Sequence, residues 1–148
     1  MIQVKDIMTK KVITVGPDEK ITEVAKSLHQ NKIHAIPVTE NKKLIGIITE
    51  TDFFIKDLPN LYLPLYIEMM EHNYAKKITQ EQKEKINKII KATAGDIMTK
   101  NCLTLQADSD FIKAMQFFVE HKLFSAPVVD RKGRLIGIIT LADIIKLI

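Results

Sequence analysis

Apolar and polar residues alternate along this 148-residue chain in a pattern that changes period several times. A short apolar segment near residues 13–15 is followed by residues 20–31, where apolar side chains recur at helical spacing. Two further apolar runs, 36–39 and 44–49, are separated by a polar turn. The pattern predicts a strand, a helix and a β-hairpin, with a closing helix that begins at Glu50.

The same cycle occurs a second time in the last third of the chain, so we predict an internal repeat. Each copy is too short to bury a core by itself. We therefore predict a mixed α/β (α+β) fold of two β-α-β-β-α repeats, related by a pseudo-twofold axis and packed sheet to sheet. Three pairs of segments mark the two copies: DIMTK at 6–10 and 96–100, IPV at 36–38 and APV at 126–128, and IGIITETD at 45–52 and IGIITLAD at 136–143.

A segment with no counterpart in the second copy separates the two repeats. Its prolines predict a bent connector over residues 58–63. An apolar and aromatic stripe between Tyr62 and Met70 predicts a short helix, and the capping box Thr79–Gln82 predicts the start of another. We therefore predict a helical hairpin. The predicted organisation is repeat 1 at 1–56, the insert at 57–93 and repeat 2 at 94–148.

Both copies of the octapeptide end in Thr-x-x-Asp, at Thr49–Asp52 and Thr140–Asp143. An apolar strand followed by this pattern indicates a helix start, with Thr as N-cap and Asp at the third helical position. Backbone N–H groups, a hydroxyl and a carboxylate then lie at one rim, which suits a phosphorylated sugar. The alternative is that both motifs only cap helices. Their recurrence at the same point of each repeat favours a binding role.

Composition restricts the function classes further. Net charge is +4 and the pI is about 9.1, which favours an anionic ligand, but the lysines are spread along the chain. Clustered basic residues with stacking aromatics are absent from the sequence, which argues against nucleic-acid binding. The sequence contains neither a membrane-length apolar stretch nor a signal peptide, so a cytoplasmic protein is expected.

The reactive side chains do not form a recognisable catalytic or metal-binding pattern. Cys102 lies in an apolar context that is more typical of a small buried residue than of a nucleophile. The four histidines lack metal-ligand spacing, and His34 alone has a candidate role as a ligand contact. We expect no catalytic residue, no metal and no required cofactor.

The D-I-M-T, h-P-V (h apolar) and G-h-h-T-x-x-D motifs, each present twice, resemble a tandem pair of cystathionine-β-synthase (CBS) domains, also called a Bateman module. The resemblance covers residues 4–56 and 95–148. It implies two clefts between the repeats that bind adenosine-containing ligands, with each cleft built from both copies. It also implies a stand-alone regulatory module that is not an enzyme.

The resemblance assigns site residues to each cleft by position. In one cleft, Asp52 contacts the ribose, Thr49, Thr51 and His34 lie near the phosphate, and Thr104, Leu123, Phe124 and Ser125 surround the adenine. The other cleft uses Asp143 and Thr140, with Ser125 near the phosphate and with Thr14, Ile33, His34 and Ala35 around the base.

The two clefts are predicted to be unequal, because Phe124 replaces His34 and Ala142 replaces Thr51 in the second copy. Phosphorylated ligands should prefer the Asp52 cleft and less charged ones, such as S-adenosylmethionine, the Asp143 cleft.

The leading hypothesis is a regulatory module that senses AMP, ADP or ATP and acts on an unidentified protein partner or its own homodimer. The alternatives are an S-adenosylmethionine or other adenosyl sensor, and a ligand-independent dimerisation scaffold. We expect no membrane partner.

Overall fold

Each repeat contributes one β-hairpin with a helix on either side of it. The computed structural model describes residues 1–54, 62–71 and 79–147. The elements in chain order are α1 (Val4–Ile7), α2 (Ile21–Gln30), β1 (Ala35–Glu40), β2 (Lys43–Thr49), a 3-10 helix (Glu50–Phe53), α3 (Leu63–Glu71), α4 (Gln80–Ile90), α5 (Ala94–Ile97), β3 (Leu105–Gln106), α6 (Phe111–His121), β4 (Ser125–Val129), β5 (Leu135–Thr140) and α7 (Leu141–Ile145).

The strands form two small sheets. β1 and β2 pair as a hairpin, and the second sheet has the order β3-β4-β5. β3 runs parallel to β4, with Leu105 opposite Val128. β4 and β5 are antiparallel, with Pro127 opposite Ile138. The predicted mixed α+β class and the hairpin of each repeat are confirmed.

The first strand of each repeat is shorter than predicted. In the first copy the predicted strand at 13–15 is reduced to one parallel bridge, between Val15 and Val38. Gly16 and Pro17 follow directly, and neither favours continuation: glycine packs no side chain and proline has no N–H to donate. In the second repeat the pairing extends one residue further, and Leu105 and Gln106 form the two-residue strand β3.

Two other sequence predictions need correction. The helix predicted from Glu50 is a single 3-10 segment that ends at Phe53, because Phe54 is extended, bridges Tyr62 and packs its ring 5.0 Å from the Tyr62 ring. The helical spacing of apolar residues in the second repeat also predicts that Met115 shares the apolar face of α6 with Phe111, Ala114 and Phe118. Met115 is instead exposed, and Ala114 and Phe118 form the buried face.

The described residues form two compact units that cut across the sequence repeats. The first unit comprises Met1–Thr14, Thr39–Ile45 and Asn101–Ile148, and the second comprises Val15–Val38 and Gly46–Lys100. Each repeat therefore gives its D-I-M-T segment to the unit that contains the helices and most of the hairpin of the other repeat. The predicted sheet-to-sheet packing about a pseudo-twofold axis stays a prediction.

In the first unit, the D-I-M-T segment of repeat 1 lies on the last strand of repeat 2. Thr9 and Ile138 exchange backbone hydrogen bonds of 2.8 and 3.0 Å. Val4, which precedes that segment, is fully buried. It belongs to a core formed by Val4, Leu105, Ala114, Phe118, Ala126, Val128, Ile139 and Ile144.

The second unit has the reciprocal arrangement. Ile47 of β2 and Thr99 exchange backbone hydrogen bonds of 3.1 and 2.9 Å. Helix α2 buries Ile21, Val24, Ala25 and Leu28, as the periodicity predicted, and packs against α3, α4 and α5. The capping box of α4 is confirmed, with the Gln82 N–H donating to the Thr79 hydroxyl.

The insert is described only in part. Its two helices are present, but residues 72–78 between them and most of the predicted connector 58–63 lie outside the described residues. The hairpin itself is therefore not confirmed. None of the helices in the described ranges is long and apolar enough to span a bilayer.

Each exchanged segment places a methionine on a glycine of the strand that it contacts. A Cβ built on Gly46 would lie 2.5 Å from Met98 Sδ, and one on Gly137 would overlap Met8 Sδ. The same Cβ on Gly137 would also lie 3.1 Å from the Thr9 carbonyl oxygen. The glycine of the G-h-h-T motif is therefore required for close approach of the other repeat's segment.

We expect Gly137→Ala to destabilise the protein by about 1–3 kcal/mol, because the added methyl overpacks a methionine and backbone. Gly46→Ala should cost a similar amount, because Cγ and Cβ of Met98 also lie 2.8 and 3.0 Å from the position of the added methyl. The free energy of unfolding is measured by chemical denaturation. Gly16→Ala is the control, because no atom lies within 4 Å of its Cβ position. Equal losses in all three variants would contradict this account.

Candidate functional site

The turn after β2 holds Asp52 by one of its two carboxylate oxygens. Asp52 Oδ2 accepts from the Thr49 N–H at 2.8 Å and from the Thr49 hydroxyl at 3.4 Å. The Thr49 and Thr51 hydroxyls lie 2.9 Å apart. Within the described residues, Asp52 Oδ1 accepts no hydrogen bond, and the residue is exposed. A carboxylate oxygen and two hydroxyls therefore face solvent together.

The turn after β5 repeats this geometry in the first unit. Asp143 Oδ2 accepts from the Thr140 N–H at 2.9 Å and from its hydroxyl at 3.0 Å, and the Asp143 N–H donates to that hydroxyl at 3.2 Å. Ser125, at the start of β4, is the strand partner of Thr140. Asp143 is half-buried, so this turn is more enclosed than its counterpart at Asp52.

A third Thr-x-x-Asp turn begins α5 and provides an internal comparison. Asp96 Oδ2 accepts from the Thr93 N–H at 2.9 Å and from the Thr93 hydroxyl at 3.0 Å. These hydrogen bonds hold the pKa of Asp96 below its usual range. Helix capping alone is therefore sufficient to explain a Thr-x-x-Asp turn. Evidence for ligand binding at Asp52 and Asp143 must come from the residues that flank these turns.

Glu50 is a neighbour of His34 that sequence reasoning missed. The Glu50 N–H donates to the His34 carbonyl at 3.0 Å, and His34 Nδ1 lies 3.1 Å from Glu50 Oε2. Both side chains are substantially exposed, so the pair is a solvent-screened contact. It orients the imidazole with Nδ1 toward the carboxylate.

The second repeat keeps the backbone contact and changes both side chains. The Leu141 N–H donates to the Phe124 carbonyl at 2.8 Å, as Glu50 does to His34. Phe124 is 75% exposed and Leu141 is also exposed. Between the two repeats, His34 changes to Phe124 and Glu50 changes to Leu141. This paired change is the signal in the sequence that could have identified Glu50 as a neighbour of His34.

The remaining predicted site residues divide between the units. Ile33 and Ala35 flank His34 in the second unit, where Ala35 is buried and Ile33 half-buried. Thr104 and Leu123 lie in the first unit and are half-buried. Thr14, also in the first unit, lines a cavity at the hairpin turns. The predicted meeting of residues from both repeats at each cleft stays a prediction.

The metal-binding capacity of the described residues and the state of their cysteine bear on the chemistry of the chain. Among the described residues, no group of three or more His, Cys, Asp and Glu side chains could hold a metal ion. Cys102 is half-buried, and burial raises the pKa of its thiol. A raised pKa keeps the sulfur protonated near neutral pH, which makes it a weak nucleophile.

We expect the thiol-modifying reagent DTNB to react more slowly with Cys102 in the native protein at pH 7 than in the urea-unfolded chain. The native rate should rise as pH increases, because the thiolate fraction grows. Absorbance of the released thiolate measures both rates. A native rate at pH 7 equal to that of the unfolded chain would contradict the protonated, half-buried state.

Comparison with known proteins agrees with this geometry. The CBS domain family matches residues 4–57 and 94–148. The chain therefore belongs to the CBS domain family and carries the domain twice. An uncharacterised protein of Methanocaldococcus jannaschii, MJ1426, is 35% identical over 152 residues, covering 97% of this chain and 89% of that protein.

Two solved CBS-pair structures are similar over nearly the whole chain. CBSX2 of Arabidopsis thaliana, in complex with AMP, has a TM-score of 0.73 at 23% identity, covering 99% of this chain and 96% of its own. The CBS pair of MJ0100, in complex with 5′-methylthioadenosine and S-adenosyl-L-methionine, has a TM-score of 0.69 at 27% identity, covering 99% and 95%. The first similarity is one of fold alone.

Proposed function

We propose that this chain is a regulatory module that binds an adenosine-containing ligand and passes its state to a protein partner or to its own homodimer. A ligand can shift the packing of the repeats only by its difference in affinity for the two arrangements. The MJ0100 complex with two adenosyl ligands supports the ligand class, and the AMP complex of CBSX2 is consistent with it. No catalytic role is part of the proposal.

The observation that carries the proposal is the carboxylate at the end of each hairpin, with one oxygen left without a hydrogen bond from the described residues, together with the side chains that flank it: His34 and Thr51 near Asp52, and Phe124 and Ser125 near Asp143. Oδ2 of Asp52 and of Asp143 is held by the cap, while Oδ1 accepts no hydrogen bond within the described residues. A carboxylate fixed in this way can accept from the vicinal hydroxyls of a ribose without losing its orientation. The proposed ligand contacts are Thr14, Ile33, His34, Ala35, Thr49, Thr51, Asp52, Thr104, Leu123, Phe124, Ser125, Thr140 and Asp143.

The side chains beside the two carboxylates favour different ligands. His34, Thr49 and Thr51 offer an imidazole and two hydroxyls near Asp52, and the His34–Glu50 contact keeps that end polar. Near Asp143, exposed Phe124 and Leu141 offer apolar surface instead. Phosphorylated adenosines therefore suit the Asp52 cleft, and uncharged or thioether-bearing adenosines suit the Asp143 cleft.

We expect Asp52→Ala and Asp143→Ala each to weaken ligand binding by about 1.5–3 kcal/mol, the range for hydrogen bonds to a charged group. AMP should be affected more by Asp52→Ala, and 5′-methylthioadenosine more by Asp143→Ala. Calorimetric titration of both ligands into each variant measures this. The fold should survive, since loss of a cap costs about 1 kcal/mol.

Asp96→Ala is the matched control. It removes the same kind of cap at Thr93 and should leave both affinities unchanged. If all three variants bind AMP and 5′-methylthioadenosine as tightly as the unmodified protein, the turns are only caps and the chain is a ligand-independent scaffold.

Assembly as a homodimer is supported by an apolar stripe on α6. Ile112, Met115 and Val119 follow helical spacing and are exposed, with Val119 78% exposed. In the second unit, the corresponding helix α2 packs against α3 and α4 of the insert. We infer that the insert covers the helical face of one repeat and leaves the face of the other for a second copy of the chain.

Val119→Lys should convert the proposed dimer to a monomer, because it places a charge in the middle of the apolar stripe. Light scattering at micromolar concentration measures the mass. Glu120→Lys, on the adjacent face of the same helix, should leave the dimer intact. A monomeric mass for the unmodified protein would contradict the proposal directly.

A further inference from the structure

A cavity of about 350 Å³ lies in the first unit, where the turns of the two hairpins meet. This volume is within the range of small-molecule sites, roughly 300–1,000 Å³. The two carboxylates of the proposed ligand clefts are not among its lining residues. The cavity is lined by Thr14, Thr39, Lys42, Asp130, Arg134, Leu135 and Ile136.

Backbone hydrogen bonds join the two turns into one structure. The Leu135 N–H donates to the Lys42 carbonyl at 3.0 Å, and the Leu44 N–H donates to the Gly133 carbonyl at 3.1 Å. Because the turns brace each other, the backbone at Lys42 and at neighbouring Arg134 is held in place. Two basic side chains are thereby anchored on one cavity.

Lys42 occupies a backbone conformation that lysine disfavours. Its φ is +68°, and that of Asn41 is +51°, so both residues of this two-residue hairpin loop are left-handed. Asn-Gly is the favoured pair for such a loop. The second repeat has Gly133, with φ +78°, at the corresponding position. The first repeat therefore has a strained lysine at the position where the second repeat has glycine.

Arg134 is oriented by a carboxylate that is itself fixed. Asp130 Oδ1 accepts from the Lys132 and Arg134 N–H groups, each at 2.9 Å, and Oδ2 accepts from Arg134 Nε at 2.7 Å. Hydrogen bonds, chiefly from the Arg134 N–H, hold the pKa of Asp130 below its usual range. Asp130 therefore stays ionised and leaves the terminal nitrogens of the guanidinium for another acceptor.

The charge of the cavity lining is net positive. Lys42 and Arg134 contribute two positive charges, and Asp130 contributes one negative charge. Within the described residues, the Lys42 amino group has no hydrogen-bond or ion-pair partner. Thr14 and Thr39 supply hydroxyls, and half-buried Leu135 and Ile136 supply apolar surface.

We propose that this cavity binds an organic phosphate monoester, with Lys42 and Arg134 on the phosphate and the organic part against Leu135 and Ile136. Lysine binds phosphate as a point charge and arginine binds it through paired N–H donors. The threonine hydroxyls complete the set of donors. This site shares Thr14 with the proposed Asp143 cleft but uses neither of the ribose carboxylates, and it would provide a second input to the same module.

The test uses the Asp52→Ala/Asp143→Ala double variant, which removes the proposed ribose contacts of the clefts. We expect ribose 5-phosphate to shift the amide resonances of Thr14, Thr39, Lys42 and Leu135 in an NMR titration. Comparison of AMP with inorganic phosphate distinguishes a nucleotide from a bare phosphate. Saturable shifts with the organic phosphates and weaker ones with inorganic phosphate are the expected result.

Lys42→Gly in the same background separates binding from stability. It creates the favoured Asn-Gly turn, so the melting temperature should be at or above that of the parent. Ribose 5-phosphate affinity should nevertheless fall about ten- to a hundredfold, as for loss of a charged hydrogen bond. Lys42→Gln should lose similar affinity, and Lys43→Gln, which changes a lysine outside the cavity lining, should lose little.

Two results would overturn the proposal. One is unchanged ribose 5-phosphate binding in both Lys42 variants. The other is an equal loss in Lys43→Gln, which would indicate only general attraction of an anion to a basic protein.

Discussion

The structure depends on the exchange of two short segments between the repeats. Each D-I-M-T segment leaves its own repeat and lies on the G-h-h-T strand of the other, through the backbone pairs Thr9–Ile138 and Thr99–Ile47. The methionine of each segment packs against a glycine of the strand. The two backbone segments can therefore approach closely, because the strand has no Cβ at that position. The same strands end in the Thr-x-x-Asp turns. The position of the candidate ligand carboxylates therefore rests on contacts made by the partner repeat.

Local patterns predicted most elements, because their causes are local. Helical periodicity located α2, and the Thr-x-x-Asp caps formed as expected at Thr49 and Thr140. The segment exchange could not be predicted, because DIMTK is identical in both copies and identical residues cannot specify which sheet they join. The pairing of His34 with Glu50 was missed because it depends on how β1 and β2 are aligned, which the motifs do not define.

The internal repeat allows one backbone to be compared with two sets of side chains. The His34–Glu50 backbone hydrogen bond recurs at Phe124–Leu141, and the left-handed conformation of Lys42 recurs at Gly133. At the first place the backbone contact is retained while the side chains differ. At the second, the left-handed pair Asn41–Lys42 is replaced by a longer turn in which only Gly133 has positive φ. Differences between copies that leave the backbone unchanged therefore identify positions where side chains are free to serve binding, whereas positions identical in both copies include those required for packing.

The interleaved units also impose an order on the assembly of the chain during synthesis. The second unit lies entirely within residues 15–100, whereas Met1–Thr14 belongs with residues 101–148. At about 5–20 residues per second, translation of the intervening segment takes several seconds. During that interval Val4 and Met8, which are synthesised before β5, have no strand on which to pack. Residues 1–14 are therefore synthesised before the second unit but reach their native positions only after residues 101–148 have been made.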